Sequence, residues 1–265
     1  MPADEAASTV AGAITTDSVL GGCLTLRQPL AGHRVGHDAL LLAAFAPSDR
    51  RRVVDLGAGV GSCGLAFLTR VPQAQAVLVE IAPELADLAR DNAALNGLSA
   101  RVEVVAADVT GLGRPSGPAL PPAGAADLVL TNPPFNDTAQ HRTSPDDARA
   151  RAHMAGSALL KDWVRAADRC LAARGVICLI HRPQALAELL AALDGRFGAV
   201  EILPVHPRPD RPAVRLLLRA VKGRRTPPTL LPGLILAAAD GTPTAAADAV
   251  LRHGAGLAQA GLAQT

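Results

Sequence analysis

From residue 52 onward, short apolar runs rich in valine alternate with longer stretches in which apolar positions recur every three or four residues. That alternation predicts βαβ units. A strand covered on both faces reads as a continuous apolar run, and its crossover helix as a one-sided stripe. Strands are predicted over residues 53–57, 75–80, 101–107, 127–131, 176–181, 200–205 and 214–220, and helices over 61–70, 83–96, 159–173 and 183–193. In the helix over 83–96, Pro83 occupies the first turn, where a missing N–H costs nothing. Leu85, Leu88, Ala89 and Leu95 share one face, and Asn96-Gly97 is the stop signal. Residues 204–212 are too few for a helical crossover, so the last two strands should pair antiparallel. The expected fold class is α/β, a seven-stranded, mostly parallel, doubly wound sheet with an antiparallel last strand.

Other segments lack such a period. Residues 1–16 carry Asp4 and Glu5, no Lys or Arg and no compact apolar core, so they read as a flexible tail and not as a secretory signal. Pro115, Pro118, Pro121 and Pro122 mark a surface loop. Residues 136–156 are polar, hold His141, Arg142, Arg149 and Arg151, and read as a long loop, either functional or disordered. A short strand over 230–237 and a helix capped by Thr242-Pro243 and ending near His253-Gly254 would follow. Residues 255–265, containing GLAQAGLAQT, read as a second flexible tail, which leaves 17–254 as a single domain.

Composition narrows the setting. Of 265 residues 49% are hydrophobic, but only 2% are aromatic and none is tyrosine, so Leu, Val, Ile and Ala must fill the core. The apolar stretch 230–239, interrupted by Pro232, is far below the roughly 20 residues that span a bilayer, and no membrane association is expected. Cys23, Cys63, Cys170 and Cys178 form no CxxC pair, which points to a reducing cytoplasm. His33 and His37 are four apart, but no further ligand recurs at metal spacing, so no metal is expected. The net charge of +2 is uninformative, whereas its distribution is not. Eight basic residues (Arg196, Arg208, Arg211, Arg215, Arg219, Lys222, Arg224 and Arg225) face only Glu201 and Asp210 within residues 196–225. They read equally as a phosphate-facing patch or as a solvated basic edge.

The candidate chemistry sits at predicted strand ends. In VVDLGAGVG the glycines Gly57, Gly59 and Gly61 follow a strand and open a helix, where backbone approaches a ligand closely and offers N–H groups. Gly59, Gly61 and Gly64 also satisfy a dinucleotide fingerprint, so the glycines alone leave an oxidoreductase open. Asp55, at the mouth of the turn, suits a ligand bearing a cationic α-amino group better than a pyrophosphate, which favours S-adenosylmethionine. Glu80 would accept the ribose hydroxyls and Asp108 the exocyclic amine of the cofactor adenine.

The deciding motif is Asn132-Pro133-Pro134-Phe135, at the carboxyl end of the fourth strand. Two consecutive prolines remove two donors and leave carbonyl oxygens facing the site. The lone pair of a planar exocyclic nitrogen is delocalised into its ring or carbonyl. Accepting its N–H bonds with the Asn132 amide oxygen and the Pro133 carbonyl favours a tetrahedral nitrogen that can attack a methyl group. Phe135 supplies a stacking face, worth about 1 to 3 kcal/mol per base.

With these residues in view, the chain resembles the Rossmann-like class I methyltransferases that modify amino groups through an NPPF or NPPY signature. More narrowly it resembles the bacterial tRNA(Val) adenine-N6-methyltransferase family, through LGGCLTLRQPLAGHRVGHDALLLAAF, DLGAGVGSCGLAFL, LVEIAPELADLARDNAALNGL, TNPPFND, LIHRP and VHPRP. The resemblance implies S-adenosylmethionine held at Asp55, Gly57, Gly59, Gly61, Glu80, Asp108 and Asn132, and a target held by Asn132, Pro133, Pro134 and Phe135. It places residues 17–50, with Arg34 and Asp38, over the cofactor. Substrate contacts are expected at Arg34, Arg208, Arg211 and Arg215, and the implied form is a cytoplasmic monomer acting on tRNA. The same motif suits a ribosomal RNA guanine-N2 methyltransferase and a protein glutamine-N5 methyltransferase, and the arginine-rich 208–225 stretch favours RNA.

Overall fold

Successive residues of a strand face opposite ways, and this parity sorts the core into two layers. The computed structural model describes residues 13–30, 36–112, 125–134 and 145–261, with residues 145–157 described by backbone alone. The elements are β1 (Ile14–Val19), β2 (Leu24–Pro29), α1 (His37–Phe45), β3 (Arg52–Leu56), α2 (Ser62–Arg70), β4 (Gln75–Glu80), α3 (Pro83–Leu95), β5 (Val102–Ala106), β6 (Ala126–Thr131), α4 (Pro145–Cys170), β7 (Leu171–His181), α5 (Leu186–Leu193), β8 (Phe197–His206), β9 (Arg215–Lys222), β10 (Thr229–Leu230), β11 (Leu234–Ile235) and α6 (Ala245–Leu251). Val53, Leu128 and Leu130 pack with residues of α1, α2 and α3, whereas Val54, Leu56 and Val129 pack with α4 and α5.

The main sheet runs β10-β8-β9-β7-β6-β3-β4-β5, with β11 also on β8. Strands β3 to β7 are mutually parallel where they pair, and β9 is antiparallel to both β7 and β8. The expected doubly wound α/β sheet with its antiparallel last long strand is therefore the observed one. One edge of the sheet collects the carboxyl ends of β3 through β8 and the amino end of β9.

Several expectations need correction. Residues 14–16, read as tail, open an antiparallel hairpin, β1–β2, whose turn places Gly21 and Gly22 at φ +64° and +93°. Leu24 and Leu26 are fully buried beneath it, an alternation visible in the sequence but not read as a strand. Of the loop expected over 136–156, residues 145–156 join the helix expected over 159–173 in one long helix, α4, from Pro145 to Cys170, and residues 136–144 lie outside the described residues. A proline in the first turn followed by alanine-rich sequence sustains a helix even without an apolar period. Residues 171–173 belong instead to β7, which has a register irregularity between its pairings with Ala126 and Leu128. Residues 230–237 yield two short strands parallel to β8.

The cap of α6 is Thr244, whose hydroxyl accepts the Ala247 N–H at 3.2 Å, while Thr242 instead bonds Asp240. The expected C-terminal tail packs as far as it is described. Leu257 is fully buried and its N–H donates to the Ala44 carbonyl at 2.9 Å.

Candidate active site

The turn after β3 is built by three left-handed glycines, Gly57, Gly59 and Gly61, at φ +70°, +56° and +88°. Such angles strain any residue with a Cβ. The N–H groups of Gly57 and Ala58 both donate to the Val79 carbonyl at 2.9 Å, which ties the turn to β4. A Cβ on Gly59 would meet nothing within 4 Å, so this face of the turn is open to a ligand. A Cβ on Gly64 would strike Leu78 at 2.4 Å, so the third fingerprint glycine serves helix–strand packing.

Asp55 was expected at the mouth of the turn; its side chain instead lies beneath it, only 2% exposed. Strand parity sends it toward α2, where its carboxylate accepts the Gly64 N–H at 2.8 Å. Burial raises its pKa to about 7; the Gly64 bond opposes the shift and the nearby Glu80 charge adds to it. Glu80 ends β4 and uses one oxygen for the Gly59 N–H at 2.8 Å and the other for the Ala82 N–H at 3.0 Å. An ionised carboxylate has about four lone-pair sites, so roughly two stay available to ribose hydroxyls. Asp108 is exposed and caps a short turn, accepting the Thr110 N–H and hydroxyl, both at 2.8 Å.

Asn132 is set beside this bed by register. Thr131 pairs with Leu56 across β6 and β3, and its buried hydroxyl donates to the Leu56 carbonyl at 3.1 Å. The next residues, Asn132 and Gly57, therefore emerge side by side. Asn132 is half-buried, Pro133 buried and Pro134 exposed. Phe135 and Arg34 lie outside the described residues.

Two residues near the site went unnoticed in the sequence. Trp163 of α4, the one tryptophan in the chain, abuts the glycine turn, and a Cβ on Gly57 would come within 2.5 Å of its ring. Its spacing with Leu160 and Val164 reads only as a core stripe. His181, at the end of β7 on the same sheet edge, is 3% exposed, and burial pushes its pKa down to about 4, so it is neutral; the charges of Arg182 and Arg215 add to this.

The basic segment does not form one patch. Arg219 pairs with Glu201 and lies over the Phe45 ring at 5.2 Å, and Arg196 and Lys222 both reach Asp168, at 3.0 and 3.3 Å. Arg215, expected to contact substrate, bonds Asp38 at 2.7 Å, which fastens β9 to the start of α1. Arg208 and Arg211 are exposed. Among the described residues no group of three or more His, Cys, Asp or Glu could hold a metal ion, and no helix is long and apolar enough to cross a membrane.

A family model described as "Methyltransferase small domain" matches residues 36–206. The chain is 34% identical over 194 residues to a tRNA1(Val) (adenine(37)-N6)-methyltransferase of Aeromonas hydrophila, covering 72% of this chain and 77% of that protein. A protein of the same name from Porphyromonas gingivalis is 31% identical over 190 residues, covering 69% and 72% respectively. Among solved structures, one described as a predicted O-methyltransferase from Agrobacterium tumefaciens superposes with a TM-score of 0.68 at 36% identity, covering 80% of this chain and 94% of that one.

Proposed function

The chain belongs to the methyltransferase small-domain family, and on that premise we propose that it transfers a methyl group from S-adenosylmethionine to the exocyclic N6 of an adenine in tRNA, adenine 37 of tRNA1(Val) by its relatives' name. The observation that carries this reading is the register that sets Asn132 beside the open glycine turn. S-adenosylmethionine, when bound, supplies an electrophilic methyl on a cationic sulfur. The residues present fit it: Gly59 leaves room for it, and acids stand at or near three successive strand ends.

In this reading the remaining lone pairs of Glu80 hold the ribose and Asp108 takes the adenine amine of the cofactor. The buried Asp55 offsets the ammonium charge through the turn, without direct exposure to the ligand. Asn132 Oδ1 and the Pro133 carbonyl accept the two N–H bonds of the target amine, draw it toward tetrahedral geometry and so free its lone pair. No strong base is required before transfer, since the proton leaves a cationic nitrogen afterwards; neutral His181 is not assigned to it. Catalysis is then chiefly positioning and electrostatic stabilisation. Phe135 would stack on the target base.

The free thiols Cys23, Cys63, Cys170 and Cys178 fit a reducing compartment, the cytoplasm. A monomer suffices, because one chain supplies all the residues named. The reading is tested with labelled S-adenosylmethionine and unmodified total tRNA. Label in N6-methyladenosine after nuclease digestion is the expected result; label in guanosine of ribosomal RNA, or in protein, would overturn it.

A further inference from the structure

The eight basic residues between 196 and 225 share one stretch of sequence, yet strand direction separates most of them. Strand β8 runs from Phe197 to His206, and β9 returns from Arg215 to Lys222 in antiparallel register. Arg208, Arg211 and Arg215 therefore lie at the sheet edge shared with Asn132. Arg196, Lys222, Arg224 and Arg225 lie at the opposite edge, on the order of 25 Å away at the rise of a strand. Asp168 pairs with two of that far group, Arg196 and Lys222, and offsets part of their charge.

The connection at the near edge is stiff. Pro207, Pro209 and Pro212 restrict its backbone. The Arg211 N–H donates to the Arg208 carbonyl at 3.2 Å, and the Val214 N–H to the Val205 carbonyl at 2.8 Å. His206 Nδ1 meets the Arg211 carbonyl at 2.9 Å. From the flank, Leu236 and Ala237 donate to the carbonyls of His206 and Pro207 at 2.8 and 3.1 Å. Two exposed guanidinium groups, Arg208 and Arg211, are carried on this braced loop, with Asp210 only 3.6 Å from Arg211 in a pair mostly open to solvent. An exposed pair of that kind holds its charge weakly. Val214, 41% exposed, adds an apolar spot beside them.

We infer that the β8–β9 connection is the arm that grips the phosphodiester backbone of the RNA substrate, and that the arginines at the opposite end of the same strands take no part in binding. This rests on the proposed RNA substrate. Arginines on a braced loop lose little freedom when they bind, and their planar forks match phosphate oxygens. Strand β8 lies three strand spacings from β6, about 14 Å, so backbone near a target base in the Asn132 site can reach the arm. Because Pro207, Pro209 and Pro212 have no N–H to offer, the phosphate contacts of this loop fall to the guanidinium groups of Arg208 and Arg211.

The test compares the full chain with the double variants Arg208→Glu/Arg211→Glu and Arg224→Glu/Arg225→Glu. Binding of unmodified total tRNA is followed over a salt series, and S-adenosylhomocysteine binding by calorimetry. The first variant should bind tRNA about tenfold more weakly or worse, with the slope of log K against log salt shallower by roughly 1.5. Its cofactor-product affinity should hold, and the second variant should match the parent in both measurements. Equal losses in the two variants, or no loss in the first, overturn the arm. If the parent still methylates tRNA adenine in that event, the proposed substrate stands and only the arm fails. A parent that neither binds nor methylates tRNA overturns both.

Discussion

The Asp55 carboxylate accepts the Gly64 amide at 2.8 Å from a position beneath the glycine turn, where burial raises its pKa from 3.8 to about 7. Its proton is therefore held more tightly in the folded protein than in the unfolded chain. The stability due to this group is greatest below pH 3.8 and declines as pH rises through the window up to about 7. Asp55→Asn should flatten that decline in thermal melts. A ligand carrying an ammonium and a sulfonium favours the ionised carboxylate, so cofactor affinity should climb as pH passes 7 and binding should release a proton. Calorimetry in buffers of different ionisation enthalpy measures the release; an unchanged release in Asp55→Asn would assign it elsewhere.

Gly57 and Trp163 form a second coupled pair, because a Cβ at Gly57 would stand 2.5 Å from the indole. Gly57→Ala should destabilise by about 1–3 kcal/mol, through overpacking and its left-handed φ. Trp163→Ala should cost about 3–5 kcal/mol through the cavity it leaves. The double variant should be less unstable than the sum by about 1 kcal/mol or more, since the void admits the methyl. Denaturant unfolding of the four proteins measures this, and strict additivity would show that the ring does not constrain the turn.

For Asn132→Ala, kcat should fall on the order of a hundredfold or more, as expected when a group stabilising the transition state is removed. S-adenosylhomocysteine affinity, measured by calorimetry, should change little. Loss of that affinity would mark Asn132 as chiefly a cofactor ligand.

The N-terminal hairpin is held by two asparagines acting as a strand. Asn92, fully buried, accepts the Arg27 N–H at 2.7 Å and donates to the Arg27 and Val60 carbonyls at 3.0 and 2.9 Å. Asn96 does the same for Thr25, at 2.9 and 2.7 Å. Four helical residues rise about 6 Å and two strand residues about 6.6 Å, which is why the pairs match. Asn92→Leu should cost about 3 kcal/mol by leaving buried backbone groups unpaired. Because Val60 belongs to the glycine turn, the same variant should weaken cofactor-product binding; thermal melts with and without S-adenosylhomocysteine separate the two effects, and an undiminished thermal shift would disconnect Asn92 from the site.

What the sequence determined by itself was the local part. Residues 75–80 form the strand their valines predicted, the glycine turn follows β3, and Asn132 leaves the end of β6. Period, turn chemistry and proline act over a few residues, so they are readable in one dimension. The hairpin over 14–29 was legible in principle from its alternation, while α4 lacked a period over its first turns because alanine-rich propensity sustains a helix without an apolar stripe.

Tertiary structure alone decided the rest. Asp55 became a buried acid because α2 folds over it; Trp163 met Gly57 across the sheet face; and Arg215 was claimed by Asp38, 177 residues earlier in the chain. Seven of eight basic residues close in sequence were divided between two opposite edges by one reversed strand, and the eighth, Arg219, was paired with Glu201 within the sheet. Contacts at such separations depend on strand order and direction, which arise from packing the whole chain and leave no periodic signal at the residues concerned.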